Sequence, residues 1–336
     1  MFELYTGLQG KLHIQGIAVD EKNQYIYCSF TTKLIKYDFD GNIVGSVGGL
    51  TGHMGCIGFC PEDGRVYGSL EYKNDNIGRG IHQALGVEKI NEDAFYLVAF
   101  DTAKIVRADM DAYKDGIMTA VFLADPTRDY SEYGENGQKH RYGCSGIDGV
   151  GIAPLPGEKN SEKHLYVAYG IYNETNRTDN DHQVILCLPF SDFRRYEQPL
   201  TEKAMHRSGP SRALRKFFVF TGNTDWGVQN LEYDAYSDAL FLAVYHGYKP
   251  QYRNYDMFCL DWTKKPERQA LNGLHEDGEV LTLKNDGMFF SFGSTGMYSF
   301  GDGRFLFSEE CVEDGEECSY LRMYHLTESG IFEREK

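Results

Sequence analysis

The sequence predicts an all-β chain built from five copies of one antiparallel unit. A hairpin pattern recurs five times: an apolar strand, a turn of Gly, Asp, Asn or Pro, then a second strand that ends in a small residue. Every copy is followed by a further Tyr-, Phe-, Val- and Ile-rich run, while helical periodicity is scarce.

The first hairpin is GIAVDEKNQYIYCS (16 to 29), followed by the strands KLIKYD and NIVGSV. The second is CIGFCPEDGRVYGS (56 to 69), with AFYLVAF and IMTAVFL after it, and the third is GVGIAPLPGEKNSEKHLYVA (149 to 168), with QVILCL and KFFVF. NLEYDAYSDALFLA (230 to 243) precedes MFCLD and EVLTL, and MYSFGDGRFLFS (297 to 308) precedes YLRMYHL. Three copies hold one register, Asp20 to Tyr27, Cys60 to Tyr67 and Asp234 to Phe241. Four antiparallel strands joined by tight turns make one propeller blade, so five repeats predict a five-bladed β-propeller in one domain spanning 1–336. The blades fall at about 10–50, 51–125, 144–220, 225–285 and 290–336. The missing strand of the last blade comes from IFEREK at the C-terminus or FELY at the N-terminus, with the N-terminal strand favoured. Short helices are expected within 102–117 and in SDFRRYEQPLTEKAMHRSG.

The pattern resembles the five-bladed β-propeller class along nearly the whole chain. That class includes furanosidase-like and other glycoside hydrolases, calcium-dependent nucleotidases, plant-type glutaminyl cyclases and sugar-binding lectins. None of their catalytic signatures is intact, so the resemblance implies the fold and a range of chemistries.

Composition narrows the partners. With 34 Lys and Arg against 50 Asp and Glu the net charge is −16, and no basic block offers phosphates a neutralising patch, which argues against nucleic acid. No apolar run approaches the roughly 20 residues that span a bilayer, and the first residues lack a secretory pattern, so a cytoplasmic location is expected. The eight cysteines have no CxxC pair and lie mostly in apolar runs, so all are expected to be reduced core residues.

Loop lengths separate the two faces of the ring. One face has minimal turns (DEKN, PEDG, DAYSD, GDG, FDG); the other has long loops and the lead-ins to the inner strands, and long loops in a tight fold hold function. There the sequence offers Glu71 and Glu232 for acid and base work, with His53 and His140 assisting. Arg141, Lys73 and Arg253 are expected to hold an anionic group, and Asp75, Trp226, Tyr245 and His246 to complete the substrate pocket. In a metal-dependent variant Asp148, Gln15, Gln229 and Glu232 suit calcium first, while His53, His140 and His246 suit zinc or manganese. The run DMDAYKDG fails as a calcium loop, since Tyr113 and Phe122 stand where ligands belong. The expected function is therefore a hydrolase or lyase acting on a small or oligomeric, anionic carbohydrate in a pocket at the channel mouth. The alternative is a non-catalytic glycan- or ligand-binding propeller, although five unlike rims favour one composite site over five equal ones.

Overall fold

The computed structural model describes residues 2–87, 92–134 and 137–336 and shows a five-bladed β-propeller. Residues 88–91 of the long loop after Glu71 lie outside the described residues. Among the described residues no helix is long and apolar enough to cross a membrane.

The five inner strands are Ile14–Asp20, His53–Cys60, Cys144–Ala153, Asp225–Asp234 and Met297–Ser299. Each pairs antiparallel with the second strand of its hairpin. Apolar side chains between neighbouring blades, such as Leu70, Tyr96 and Phe100, or Val167, Tyr169 and Leu186, are withdrawn from water and supply the packing that holds blade to blade.

The blades depart from four strands where outer edges are covered. Blade 1 gains Met110–Asp111, parallel to Ile43–Gly48, and blade 2 gains Gln198–Pro199 beside Met118–Phe122. Both additions come from the two segments expected to be helical. Those segments hold only a 3-10 turn at Thr102–Lys104 and a helix at Phe190–Tyr196. Covering an edge satisfies backbone groups that would otherwise invite pairing with another chain.

Blade 4 is different from expectation. EVLTL does not form its fourth strand, because Glu279 and Val280 pair parallel with Phe217 and Phe218 of blade 3, through the hairpin Glu267–Ala270 and Asp277–Val280. Blade 3 thereby has six strands, and blade 4 keeps three with isolated bridges at Leu260–Leu283 and Met257–Met288. Gly278 explains the choice: a Cβ there would sit 2.5 Å from the Phe218 ring, so a glycine lets the hairpin lie on that aromatic.

Blade 5 is closed by both termini at once. Glu3–Tyr5 pairs with Tyr320–Arg322, and Phe332–Arg334 pairs with Tyr324–Leu326 further along the same strand. The sequence offered these as alternatives; each takes half of the edge. Next to them lies a correction to the cysteine reading. Cys311 and Cys318 face each other across the last hairpin and form a disulfide, whereas the other six are free and buried. Cys318 is buried, but Cys311 is only partly so, and both stand in a run rich in Glu rather than in an apolar strand.

Helices α1 (Asn76–Leu85) and α2 (Ala124–Ser131) were not expected. α1 contains two glycines and starts on Asp75, whose side chain accepts from the Gly78 N–H at 2.9 Å.

Candidate functional site

Side chains from four blades meet at the channel mouth in a cavity of about 240 Å³. Its walls include His13, Gln15, Thr31, His53, Glu71 and Lys73 from blades 1 and 2, Ile77 from α1, Ser145 and Asp148 from blade 3, and Trp226, Gln229 and Tyr245 from blade 4. Bulges aim several of them. The pairing slips between Ile14 and Gly16, between Ile147 and Val150 and between Val228 and Asn230, so Gln15, Asp148 and Gln229 are residues outside the regular ladder. An unpaired bulge residue is free to turn toward the channel rather than alternate with the strand.

Glu71 and Lys73 form a buried ion pair at the base of this space. The second Glu71 oxygen accepts from the Ile147 N–H at 2.9 Å. That approach requires Gly146, since a Cβ there would lie 2.0 Å from Glu71 Oε2, and its φ of +136° favours glycine. Lys73 also donates to the Ser145 carbonyl at 2.8 Å and lies 3.5 Å from Asp75. Burial opposes the ammonium, but Glu71 and Asp75 outweigh it and hold the Lys73 pKa above the ordinary lysine value. Burial pushes the Glu71 carboxyl up against the pull of Lys73, so it holds a proton more tightly than a surface glutamate.

Beside the pair stand two buried atoms with no hydrogen-bond partner, His53 Nδ1 and Asp148 Oδ1, 3.8 Å apart. Glu71 Oε1 lies 3.6 Å from the same His53 nitrogen. Burial and then Lys73 drive the His53 pKa down to about 3, so the ring is neutral at pH 7. Burial and then Glu71 raise the Asp148 pKa well above the ordinary range, and Gln229 holds the other oxygen at 3.2 Å. A carboxyl biased toward its protonated form by burial and Glu71 thus faces a neutral imidazole in a space open to a small molecule.

Opposite them, Trp226 adopts φ +62°, an unfavourable backbone conformation for an aromatic residue, and its carbonyl accepts from Gln229. Trp226 and Tyr245 supply aromatic wall, while Gln15, held by His13 at 2.8 Å, and Thr31 supply hydrogen-bonding groups.

The remaining sequence candidates are elsewhere. Glu232 points away from this cavity and accepts from the Ser299 N–H at 3.2 Å, with burial pushing its pKa to about 8. His140 packs between the Tyr130 and Tyr172 rings, and Arg141 pairs with Glu276 at 2.6 Å in a different cleft. His246 is exposed on Asp256, and Arg253 is exposed and does not line the cavity. Asp75 caps α1 and supports Lys73 without lining the cavity.

No family model matches the chain, and no curated protein matches it. Solved structures match the chain at low identity. The calcium structure of the Trichoderma reesei Carbohydrate-Active Enzymes Family AA12 protein is 10% identical over 91% of this chain and 80% of that chain, with a TM-score of 0.41. The holo pyranose dehydrogenase PQQ domain from Coprinopsis cinerea is 12% identical over 92% and 82%, with a TM-score of 0.40. The Cps50 (Swd1) β-propeller domain of Myceliophteria thermophila is 10% identical over 94% and 84%, with a TM-score of 0.33.

The donor set at the mouth does not fit a resident divalent ion. Lys73 already supplies the cation beside Glu71 and Asp75, and Gln229 turns its amide N–H, not its oxygen, to Asp148. Among the described residues, the one group of three His, Cys, Asp or Glu ligand types close together is Cys311, Glu313 and Cys318, where both sulfurs are in the disulfide.

Proposed function

We propose that the channel mouth catalyses hydrolysis or elimination of a small sugar by paired acid and base. The observation that carries this reading is the buried Asp148 acid, its Oδ1 unpartnered, facing His53 beside the Glu71–Lys73 pair. Asp148 gives its proton to the leaving oxygen as the C–O bond breaks, while Gln229 orients the acid and neutral His53 stands beside it. Glu71 takes a proton from the attacking water in hydrolysis, or from carbon in elimination. Lys73 and the Ile147 N–H hold the Glu71 carboxylate in place between turnovers. Trp226 and Tyr245 offer faces for a sugar ring, with Gln15, Thr31 and Gln229 set to meet hydroxyls.

The anionic group expected on the substrate has little support in this site. Arg141 and Arg253 lie outside the cavity, and Lys73 is engaged by Glu71 and Asp75, so a neutral sugar suits the lining better. A panel of neutral and acidic glycosides, offered to the wild type, Asp148→Asn and Glu71→Gln, tests the reading. Turnover lost at least a hundredfold in both variants supports it. Stoichiometric sugar binding with no turnover on any glycoside replaces it with the non-catalytic reading.

A further inference from the structure

A second cleft, of about 500 Å³, opens on the outside of blade 3 and shares no lining residue with the channel cavity. Arg128 of α2, Arg141 of the turn Arg141–Gly143, and Arg212, Arg215 and Lys216 at the entry to the strand Arg215–Phe220 all line it. In a chain of net charge −16, this cleft is lined by five cations against two carboxylates, Asp125 and Glu279.

Four of the five are fixed by carboxylates. Arg128 pairs with Asp125, Arg215 binds Glu279 through Nε and Nη2, and Lys216 lies 2.6 Å from Asp129. Arg141 donates from Nη2 to Glu276 at 2.6 Å, with Glu132 4.0 Å from its other terminal nitrogen. Each guanidinium has five N–H donors, and these contacts use one or two of them, so a fork of donors is held in place and left unspent. Arg212 is exposed and has no ion-pair partner among the described residues.

We infer that this cleft binds a tetrahedral oxyanion, the phosphate or sulfate group of a small ligand. Guanidinium forks from three separate elements can meet several oxygens of one such group, and the acids that hold the forks, of which Asp125 and Glu279 also line the cleft, leave N–H donors over. Arg141 thus recognises an anion at a site separate from the channel mouth.

Amide chemical shifts recorded while inorganic phosphate is added, with chloride at matched ionic strength as control, test the assignment. A saturable response around Arg212–Lys216 with phosphate and sulfate but not chloride is expected. Arg212→Glu weakens it at least tenfold and Arg128→Gln by several-fold, whereas Asp148→Asn in the channel leaves it unchanged. Glucose 6-phosphate binding as tightly as phosphate or tighter identifies the group on an ester, and binding of phosphate alone identifies the free ion. Phosphate shifts no larger than those of chloride, or folded Arg212→Glu and Arg212→Ala variants that bind like the wild type, overturn it.

Discussion

His53 Nδ1 and Asp148 Oδ1 face each other at 3.8 Å across the channel mouth, each buried and with no hydrogen-bond partner. Leaving a buried polar atom unpaired costs about 1–3 kcal/mol, so the arrangement is one that packing alone does not favour. Its consequence is a stability that depends on pH in a definite direction.

An Asp148 carboxyl with a raised folded pKa is most favourable to the fold below the ordinary value of 3.8, where folded and unfolded chains are both protonated. Above that pH the unfolded chain ionises first, and the contribution is lost progressively until the folded pKa is passed. Asp148→Asn does not titrate. It should match the wild type near pH 3.5 and gain on it by about 1.4 kcal/mol per pH unit between the two pKa values. Urea unfolding at a series of pH values measures the difference.

The ion pair makes an asymmetric prediction. Lys73→Met leaves the Glu71 charge buried and should cost about 3–5 kcal/mol, whereas Glu71→Leu with Lys73→Met together should recover most of it. Denaturant midpoints of the three proteins decide; a single variant as stable as the wild type would show that the pair is not buried as described.

Tryptophan fluorescence reports on one wall of the cavity. The chain has two tryptophans, Trp226 at the cavity and Trp262 fully buried with its N–H on the Pro154 carbonyl. Sugar binding should quench the emission through Trp226, and Trp226→Phe should abolish the quench while leaving the Trp262 signal. Trp226→Ala should raise the sugar Kd about tenfold, the size of a 1.4 kcal/mol loss of ring contact.

Closure of the ring by both termini is testable by truncating side chains. Leu4→Ala should cost about 2–5 kcal/mol and Phe332→Ala about 3–5 kcal/mol, because both side chains are buried against blade 5 or its neighbours. Thermal unfolding of each variant checks this, and a loss in only one would show that a single terminus closes the blade.

The fold was legible because strand alternation and turn residues are local signals, repeated five times. What escaped the sequence depends on pairing between distant segments. EVLTL reads as a strand wherever it goes, and its place on blade 3 rests on pairing with the distant Phe217 and Phe218, to which Gly278 allows a close approach. At the site, His53, Glu71, Lys73, Trp226 and Tyr245 followed from loop placement, as did Gln15, Asp148 and Gln229. The last three were expected to ligate a metal; the structure sets the Gln229 amide N–H on Asp148 and Gln15 on His13, side-chain contacts that no sequence signal shows. Glu232 and Arg141 lie off the cavity: a place in the sequence fixes which blade a residue belongs to, not how far along the channel it lies. Ile77 was missed because α1 carries two glycines, Gly78 and Gly80, in its first half and starts on a cap that also reads as a loop. His13, Thr31 and Ser145 stood in the right loops, with nothing in sequence to raise them above their neighbours.

The central claim is an Asp148 carboxyl whose pKa burial and Glu71 raise well above the ordinary range, opposite a neutral His53. Carboxyl carbon shifts of aspartate-labelled protein, followed from pH 3 to 9 and assigned by comparison with Asp148→Asn, measure it directly. The account predicts that the Asp148 signal titrates well above the others. A midpoint near 4, with Asp148 charged at pH 7, would contradict it.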